Sequence, residues 1–151
     1  SMAAGMALGA RQRKMPWKTV CLMGDGECCE GSVWEAAMSA PHFKLGNLIG
    51  IVDRNRFMID GETEDVMPLE PFADKWRAFG WEVVEVDGHD FDQLDEALAK
   101  AWAATDVPVL ILAHTIKGKG VDFMENNVVY HYASADSELC ARAKASILKE
   151  G

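Results

Sequence analysis

Thr19-Val20-Cys21-Leu22-Met23-Gly24-Asp25-Gly26-Glu27-Cys28-Cys29-Glu30-Gly31-Ser32-Val33-Trp34-Glu35-Ala36-Ala37 runs from a short apolar segment through a glycine-rich turn into a helical pattern. The apolar segment reads as a strand. Ser32-x-x-Glu35 reads as a capping box, in which the hydroxyl takes an orphan backbone N–H and the glutamate reaches back to the cap. The helix it opens carries Val33, Ala36, Ala37 and Met38 and is expected to end near Pro41. Working outward, Leu48–Val52, Glu82–Val86 and Val109–Ala113 are three further strand-like runs. All but the Glu82 run are apolar nearly throughout, which predicts strands buried on both faces of a parallel sheet. Glu82 and Glu85 place the remaining strand nearer an edge.

Between these runs lie helical periods. Glu70–Phe79 is stopped by Gly80, and Asp90 followed by Gln93 opens a helix with Leu94, Leu98, Ala101 and Trp102 on one face. A last amphipathic helix is expected from about Asp136 to Lys149, with Leu139, Ala143, Ile147 and Leu148 as its apolar stripe. This alternation predicts an α/β fold: an open, doubly wound, mostly parallel sheet, read as one domain over 1–151, binding its ligand at the carboxyl ends of the strands. Gly5 and Gly9 form a small-residue stripe on an N-terminal helix from Ala3 to Lys14, suited to close packing. Ser1-Met2 reads as an expression scar joined directly to that helix.

The chain has 151 residues, 49% of them hydrophobic, with 15 Lys+Arg against 24 Asp+Glu for a formal charge of −9. That balance argues against nucleic-acid binding, which needs a clustered basic surface; Arg11, Arg13 and Lys14 are too few. No apolar run approaches the roughly 18 residues of a membrane-spanning helix, and the N-terminus lacks signal-peptide order, so a cytoplasmic location is expected. Cys21, Cys28, Cys29 and Cys140 show no CxxC spacing for zinc and read as reduced thiols.

Two strand ends carry the chemistry. Gly24-Asp25-Gly26 puts an acid between glycines directly after a buried strand, where backbone approaches a ligand closely and N–H groups can face phosphate. Thirty positions on, Asn55 follows the next strand, in Asp53-Arg54-Asn55. A carboxylate and an amide oxygen from neighbouring strand ends are hard ligands suited to Mg²⁺ shared with a diphosphate.

These residues resemble the transketolase family. The likeness runs through Gly24-Asp25-Gly26 and Asn55, Glu30–Ala37, Ile51–Asn55, Ile59-Asp60-Gly61, Val86–Asp90, Thr115–Val121, Phe123–Asn127 and His131, in order and over essentially the whole chain. It is most similar to the separately encoded N-terminal subunit of split transketolases, which carries the thiamine-diphosphate-binding domain. The resemblance implies that Asp25 and Asn55, with the carbonyl of Phe57, ligate Mg²⁺ or Ca²⁺, and that Gly24, Gly26 and Glu27 meet the diphosphate. It implies that Ile59 packs on the thiazolium side, that Glu30 joins a carboxylate network at the interface between subunits, and that His131 assists proton transfer near the reacting carbon. Lys117 and Lys119 are read either as closing over anionic groups or as solvated loop lysines. His114 ends a strand at the ligand edge, within reach of the cofactor. His42 and His89 are read as loop and capping residues, and Trp17, Trp34, Trp76, Trp81 and Trp102 as core or interface.

The resemblance further implies ketol transfer between sugar phosphates, completed by a pyrimidine-binding C-terminal subunit, in a chain that begins inside its domain and lacks its first segments. Self-association through surface left open is expected with it. Tyr130, Tyr132 and the Cys28-Cys29 pair depart from the family pattern without removing a metal ligand. A non-catalytic remnant or assembly module, and a related enzyme such as deoxyxylulose-phosphate synthase, are the alternative readings.

Overall fold

The four apolar runs form one four-stranded parallel sheet in the computed structural model, which describes residues 1–149. The strands are β1 (Thr19–Gly24), β2 (Leu48–Arg54), β5 (Glu82–Asp87) and β6 (Val109–His114), in the order β1-β2-β6-β5. Registry aligns Gly24 with Asp53 and Arg54 with His114, so the carboxyl ends of β1, β2 and β6 meet along one rim. A two-stranded antiparallel ribbon, β3 (Phe57–Met58) and β4 (Gly61–Glu62), follows β2. Strands of two residues carry no periodicity, and sequence reading passed over them.

One face of the sheet is covered by α1 (Met2–Gln12), α2 (Gly31–His42) and α4 (Phe72–Ala78), the last following the single turn α3 (Thr63–Val66). The core there joins Met23, Leu48, Val52, Leu110 and Leu112 to Phe72, Trp76 and Trp81. The other face is covered by α5 (Phe91–Ala103), whose Ala97 and Ala101 pack on Ile49, Val86, Val109 and Ile111. Asp90 caps α5 as expected, its side chain accepting from the N–H groups of Asp92 and Gln93. Helix α4 is closed by Gly80 at φ +98°, a left-handed conformation that a Cβ would oppose. The last helix, α6, spans Ser137–Ile147 behind the N-cap Asp136.

Several expectations change. Strand β1 is buried on one face only: Val20 (46% exposed) and Leu22 (70%) share the pleat of Ile49 and Ile51, but α5 lies over β2, β6 and β5 and does not reach them. Strand β5 does lie at the opposite edge. The capping box at Ser32 and Glu35 does not form. A 3₁₀ turn over Gly26–Cys29 delivers the chain to α2 early, so Glu30 is the N-cap, without a side-chain cap bond, and Ser32 falls inside the first turn. Gly5 and Gly9 face open space, and α1 buries Ala7 and Ala10 instead. Trp34, Trp76 and Trp81 pack inward as read, but Trp17 and Trp102 are largely exposed. Met38, Ile147 and Leu148 are exposed too, and α6 docks through Ser146, whose hydroxyl accepts from the Asp122 N–H.

Candidate functional site at the carboxyl ends of the strands

Strand β1 ends by carrying Asp25 to the rim at 1% exposure, an acid that must be paired to be buried so completely. Its Oδ1 accepts from the Gly26 N–H at 2.8 Å; its Oδ2 accepts from Arg54 Nη1 at 2.9 Å and from the Arg56 N–H at 2.6 Å. Strand β2 brings Arg54 to the same place, 2% exposed. The guanidinium also donates to Thr63 Oγ1 (2.7 Å), Glu64 Oε1 (3.0 Å) and Glu70 Oε1 (2.9 Å), and lies 5.6 Å from the centre of the Phe72 ring. One buried cation thus ties the end of β1 to α3 and the start of α4. Arg54, Thr63, Glu64 and Glu70 were missed in the sequence, where Arg54 was only a letter of a motif.

Glu70 is held below the usual carboxylate range, first by the Phe72 N–H and then by Arg54. Glu64 is lowered too: burial raises it, but the N–H groups of Leu69 and Glu70, with Arg54, outweigh that. For a group depressed in the folded state, stabilisation is full above the unfolded value, about 4.3 for a glutamate, and is lost as pH falls through the lower folded value. Thermal midpoints are therefore expected to stay level from neutral pH to about 5 and to fall below about 4. Circular-dichroism melts at stepped pH check this, and Glu70→Gln should flatten part of the fall.

The remaining predicted residues fall into two groups. Asn55 Oδ1 accepts from the Phe57 N–H at 2.9 Å, which fixes the amide beside the ribbon. Glu27 turns its carboxylate back to the Gly24 N–H at 3.2 Å. Strand β3 touches both the Gly26–Cys29 turn and a second 3₁₀ turn, Val128–His131, and so brings His131 to the same rim. Lys117 Nζ lies 3.3 Å from His131 Nδ1, whereas Lys119 pairs with Glu125 at 3.6 Å. Ile59 is half-exposed at the ribbon tip, and Glu30 is exposed at the start of α2. His114 stands apart: its Nε2 meets Glu85 Oε2 at 3.2 Å, and Arg77 of α4 holds the same carboxylate. That pairing joins the ring to the Glu85–Arg77 pair at the β5 edge. His89 does serve the loop, its Nε2 accepting from the Ile116 N–H at 2.8 Å.

Cys28 is fully buried, and burial with the nearby Glu27 and Asp25 charges pushes its thiol up to about 12, so it packs rather than reacts. Gly26 has no room for a side chain: an added Cβ would stand 2.8 Å from Met58 Cβ. Gly26→Ala is expected to destabilise the chain by about 1–3 kcal/mol through this overpacking. A thermal melt against the parent checks it.

Residues 10–147 match the family described as transketolase, thiamine diphosphate binding domain. The chain belongs to that family. It is 44% identical, over its whole length, to 55% of the 6-deoxy-6-sulfo-D-fructose transketolase subunit of a Clostridium species. It is also 44% identical, over 91% of its length, to 49% of one of the subunits of the apulose-4-phosphate transketolase of Phocaeicola vulgatus. Among solved structures it superposes on transketolase from Campylobacter jejuni with a TM-score of 0.89 at 32% identity, covering 96% of this chain and 24% of that one. The chain thus spans about half the length of these curated relatives.

The donor set of this transketolase-family domain fits the cofactor of its family. Asp25 Oδ1 and Asn55 Oδ1 each receive a single backbone N–H, which leaves each a lone pair for a cation. Gly26 lets the turn after β1 seat directly against Met58 of the ribbon, with no side chain between them. Among the described residues no cluster of three or more His, Cys, Asp or Glu is arranged for a metal; a cation at Asp25 and Asn55 would take mixed oxygen donors.

Proposed function

We propose that this chain is the diphosphate- and cation-binding part of a thiamine-diphosphate-dependent transketolase, which moves a two-carbon ketol unit between sugar phosphates once a pyrimidine-binding partner subunit completes the site. The observation that carries this reading is the buried Asp25, pinned at the end of β1 with one oxygen still able to ligate, beside the strand end that carries Asn55. Asp25, Asn55 and the Phe57 carbonyl hold Mg²⁺ or Ca²⁺. The backbone of Gly24, Gly26 and Glu27 faces the diphosphate, and Ile59 offers apolar surface to the thiazolium side. His131 holds or moves a proton near the reacting carbon. Lys117, 3.3 Å from its ring, adds positive charge for an anionic substrate. Glu30, exposed at the α2 start, joins a carboxylate network at the interface between subunits. His114 enters the cofactor set only by leaving Glu85. The chemistry supplied by thiamine diphosphate when bound is reversible carbon–carbon cleavage next to a carbonyl; the protein binds, orients and excludes water.

A partner chain is supported by the names of the relatives, which are subunits, and an anionic ketose by the sulfonated and phosphorylated sugars in those names. No helix among the described residues is long and apolar enough to cross a membrane, and the four cysteines are unpaired, which supports a cytoplasmic location. Exposed Val20 and Leu22 along the free edge of β1 support homo-oligomerisation as a dimer; monomer mass by light scattering at every concentration overturns that. The function is tested by titrating the chain with its partner, thiamine diphosphate and Mg²⁺, then assaying ketol transfer from a ketose phosphate. Binding and transfer are expected; absence of both in every mixture overturns the reading in favour of a structural module.

A further inference from the structure

Backbone pairing of β5 with β6 stops one rung short, and a side chain supplies the missing rung. The ladder runs past Asp87 and His114 to the Gly88 N–H, which donates to the His114 carbonyl at 2.8 Å. In a regular parallel pair the Ile116 N–H would next donate to the Gly88 carbonyl. It donates instead to His89 Nε2, at 2.8 Å. A protonated ring nitrogen cannot accept, so Nε2 is bare and the ring proton sits on Nδ1. The turn that presents this ring is held on both sides: the His89 N–H donates to Asp87 Oδ1 at 2.9 Å, and Asp90 caps α5. Gly88 lets the turn press against β6, since an added Cβ would stand 2.4 Å from Thr115 Cγ2.

The loop beyond Ile116 closes on itself. The Lys119 N–H donates to the Ile116 carbonyl (3.1 Å), that of Val121 to Gly118 (3.1 Å) and that of Asn126 to Lys117 (2.9 Å). Gly118, at φ +75°, has the Met124 carbonyl 2.6 Å from where a Cβ would stand. A loop knotted in this way moves as one body about its root. From the β2 side the root is pinned by Thr115, whose N–H donates to the Arg54 carbonyl at 3.2 Å and whose hydroxyl donates to Asp53. From the β5 side it is pinned by His89.

We infer that His89 is a positioning residue: by taking the Ile116 N–H in place of a backbone carbonyl, it fixes where the chain leaves β6 and so sets Lys117 against His131. The inference rests on the reading above in which Lys117 supplies charge for an anionic substrate. Lys117 directly follows the latched residue, and its Nζ lies 3.3 Å from His131 Nδ1. An imidazole reaches further than a carbonyl, so the strand can end there and the loop begin. Glutamine, whose side-chain oxygen falls near the position of Nε2, can replace this acceptor; asparagine is too short.

The test uses the complete protein that carries this chain, assembled with its partner, as parent, His89→Leu, His89→Gln and His89→Asn. Hydrogen exchange at the Ile116 amide reads the latch without turnover. KM and kcat for a ketose phosphate and for an uncharged ketose read its consequence. His89 is exposed, so thermal midpoints should stay near the parent's. In His89→Leu, exchange at Ile116 is expected to quicken about twofold to tenfold, the scale of one hydrogen bond. KM for the ketose phosphate should rise by a similar factor at unchanged kcat, the signature of lost uniform binding, while KM for the uncharged ketose stays put. Glutamine should restore both readouts, and asparagine neither. Either readout unmoved in His89→Leu overturns the inference, as does an equal rise in KM for both ketoses, which marks a merely structural role. Should His89→Leu not fold, the glutamine and asparagine variants are compared on the same terms. A parent that transfers nothing overturns the proposed function and this inference together, whereas an active parent with unmoved variants removes this inference alone.

Discussion

Asp25→Ala is expected to lose thiamine diphosphate and Mg²⁺ binding by at least about a hundredfold, the upper range seen when even the partners of metal ligands are removed. It is also expected to destabilise the chain by about 3–5 kcal/mol, because breaking a buried ion pair strands the other charge. Both effects come from one carboxylate. It stands beside Gly26 just past the end of β1, and it satisfies Arg54 Nη1 and the N–H groups of Gly26 and Arg56. Alanine leaves those donors without an acceptor at a site 1% exposed. For a domain of this size the melting temperature should fall on the order of 10 °C. Asp25→Asn separates the two roles: its amide oxygen can still accept from Arg54 Nη1 and the Arg56 N–H, with only the Gly26 bond lost to the amide NH₂, so it should melt nearer the parent while binding as weakly as the alanine variant. Calorimetry with paired thermal melts reads both. Parent-like cofactor affinity in Asp25→Ala would remove Asp25 from the site.

Trp76→Ala is expected to cost about 3–5 kcal/mol, the range for truncating a buried aromatic. Trp76 is 1% exposed and central in an aromatic group, its ring centroid 5.3 Å from Trp34, 5.0 Å from Trp81 and 6.4 Å from Phe72. Its indole Nε1 is buried without a hydrogen-bond partner among the described residues, unlike that of Trp81, which donates to the Ala37 carbonyl at 2.8 Å. An unsatisfied buried donor is a standing penalty of about 1–3 kcal/mol, so Trp76→Phe should recover much of what alanine loses despite its smaller ring. Denaturant unfolding of the two variants decides it: equal losses would mean that the indole N–H has a partner after all. The damage from Trp76→Ala should reach the rim as well, since Phe72, at the head of the same helix, lies against Arg54.

The strands were readable because burial on a pleated surface leaves runs such as Val109–Ala113, and the sheet order places them as that pattern implies. Strand β1 has an equally apolar run, yet Val20 and Leu22 are uncovered. Composition reports what a face prefers to meet and is silent on whether anything covers it. The same gap explains Gly5 and Gly9, whose spacing suits a close helix neighbour that the described residues do not supply. At the site, Asp25, Gly26 and Asn55 were legible, since few other residues serve an acid, a close approach and an amide at two strand ends. The Arg54 network was not legible. A charged residue after a strand ordinarily reads as solvated, and its partners Thr63, Glu64 and Glu70 converge on it only through the fold of a loop with no period. The pairing of His114 with Glu85 was not legible either, since it comes from the registry of β5 on β6.

The aromatic group beneath α4 also gives the protein an optical reporter of its own. Trp34 lies against Trp76, Phe72 and Phe79, and Phe72 lies under the guanidinium that grips Asp25. A change in charge at Asp25 is therefore relayed within two contacts to indoles whose emission depends on the local field. Filling the site should be visible as a shift in intrinsic fluorescence, without a label and in a chain whose tryptophans outside this group, Trp17 and Trp102, emit from solvent.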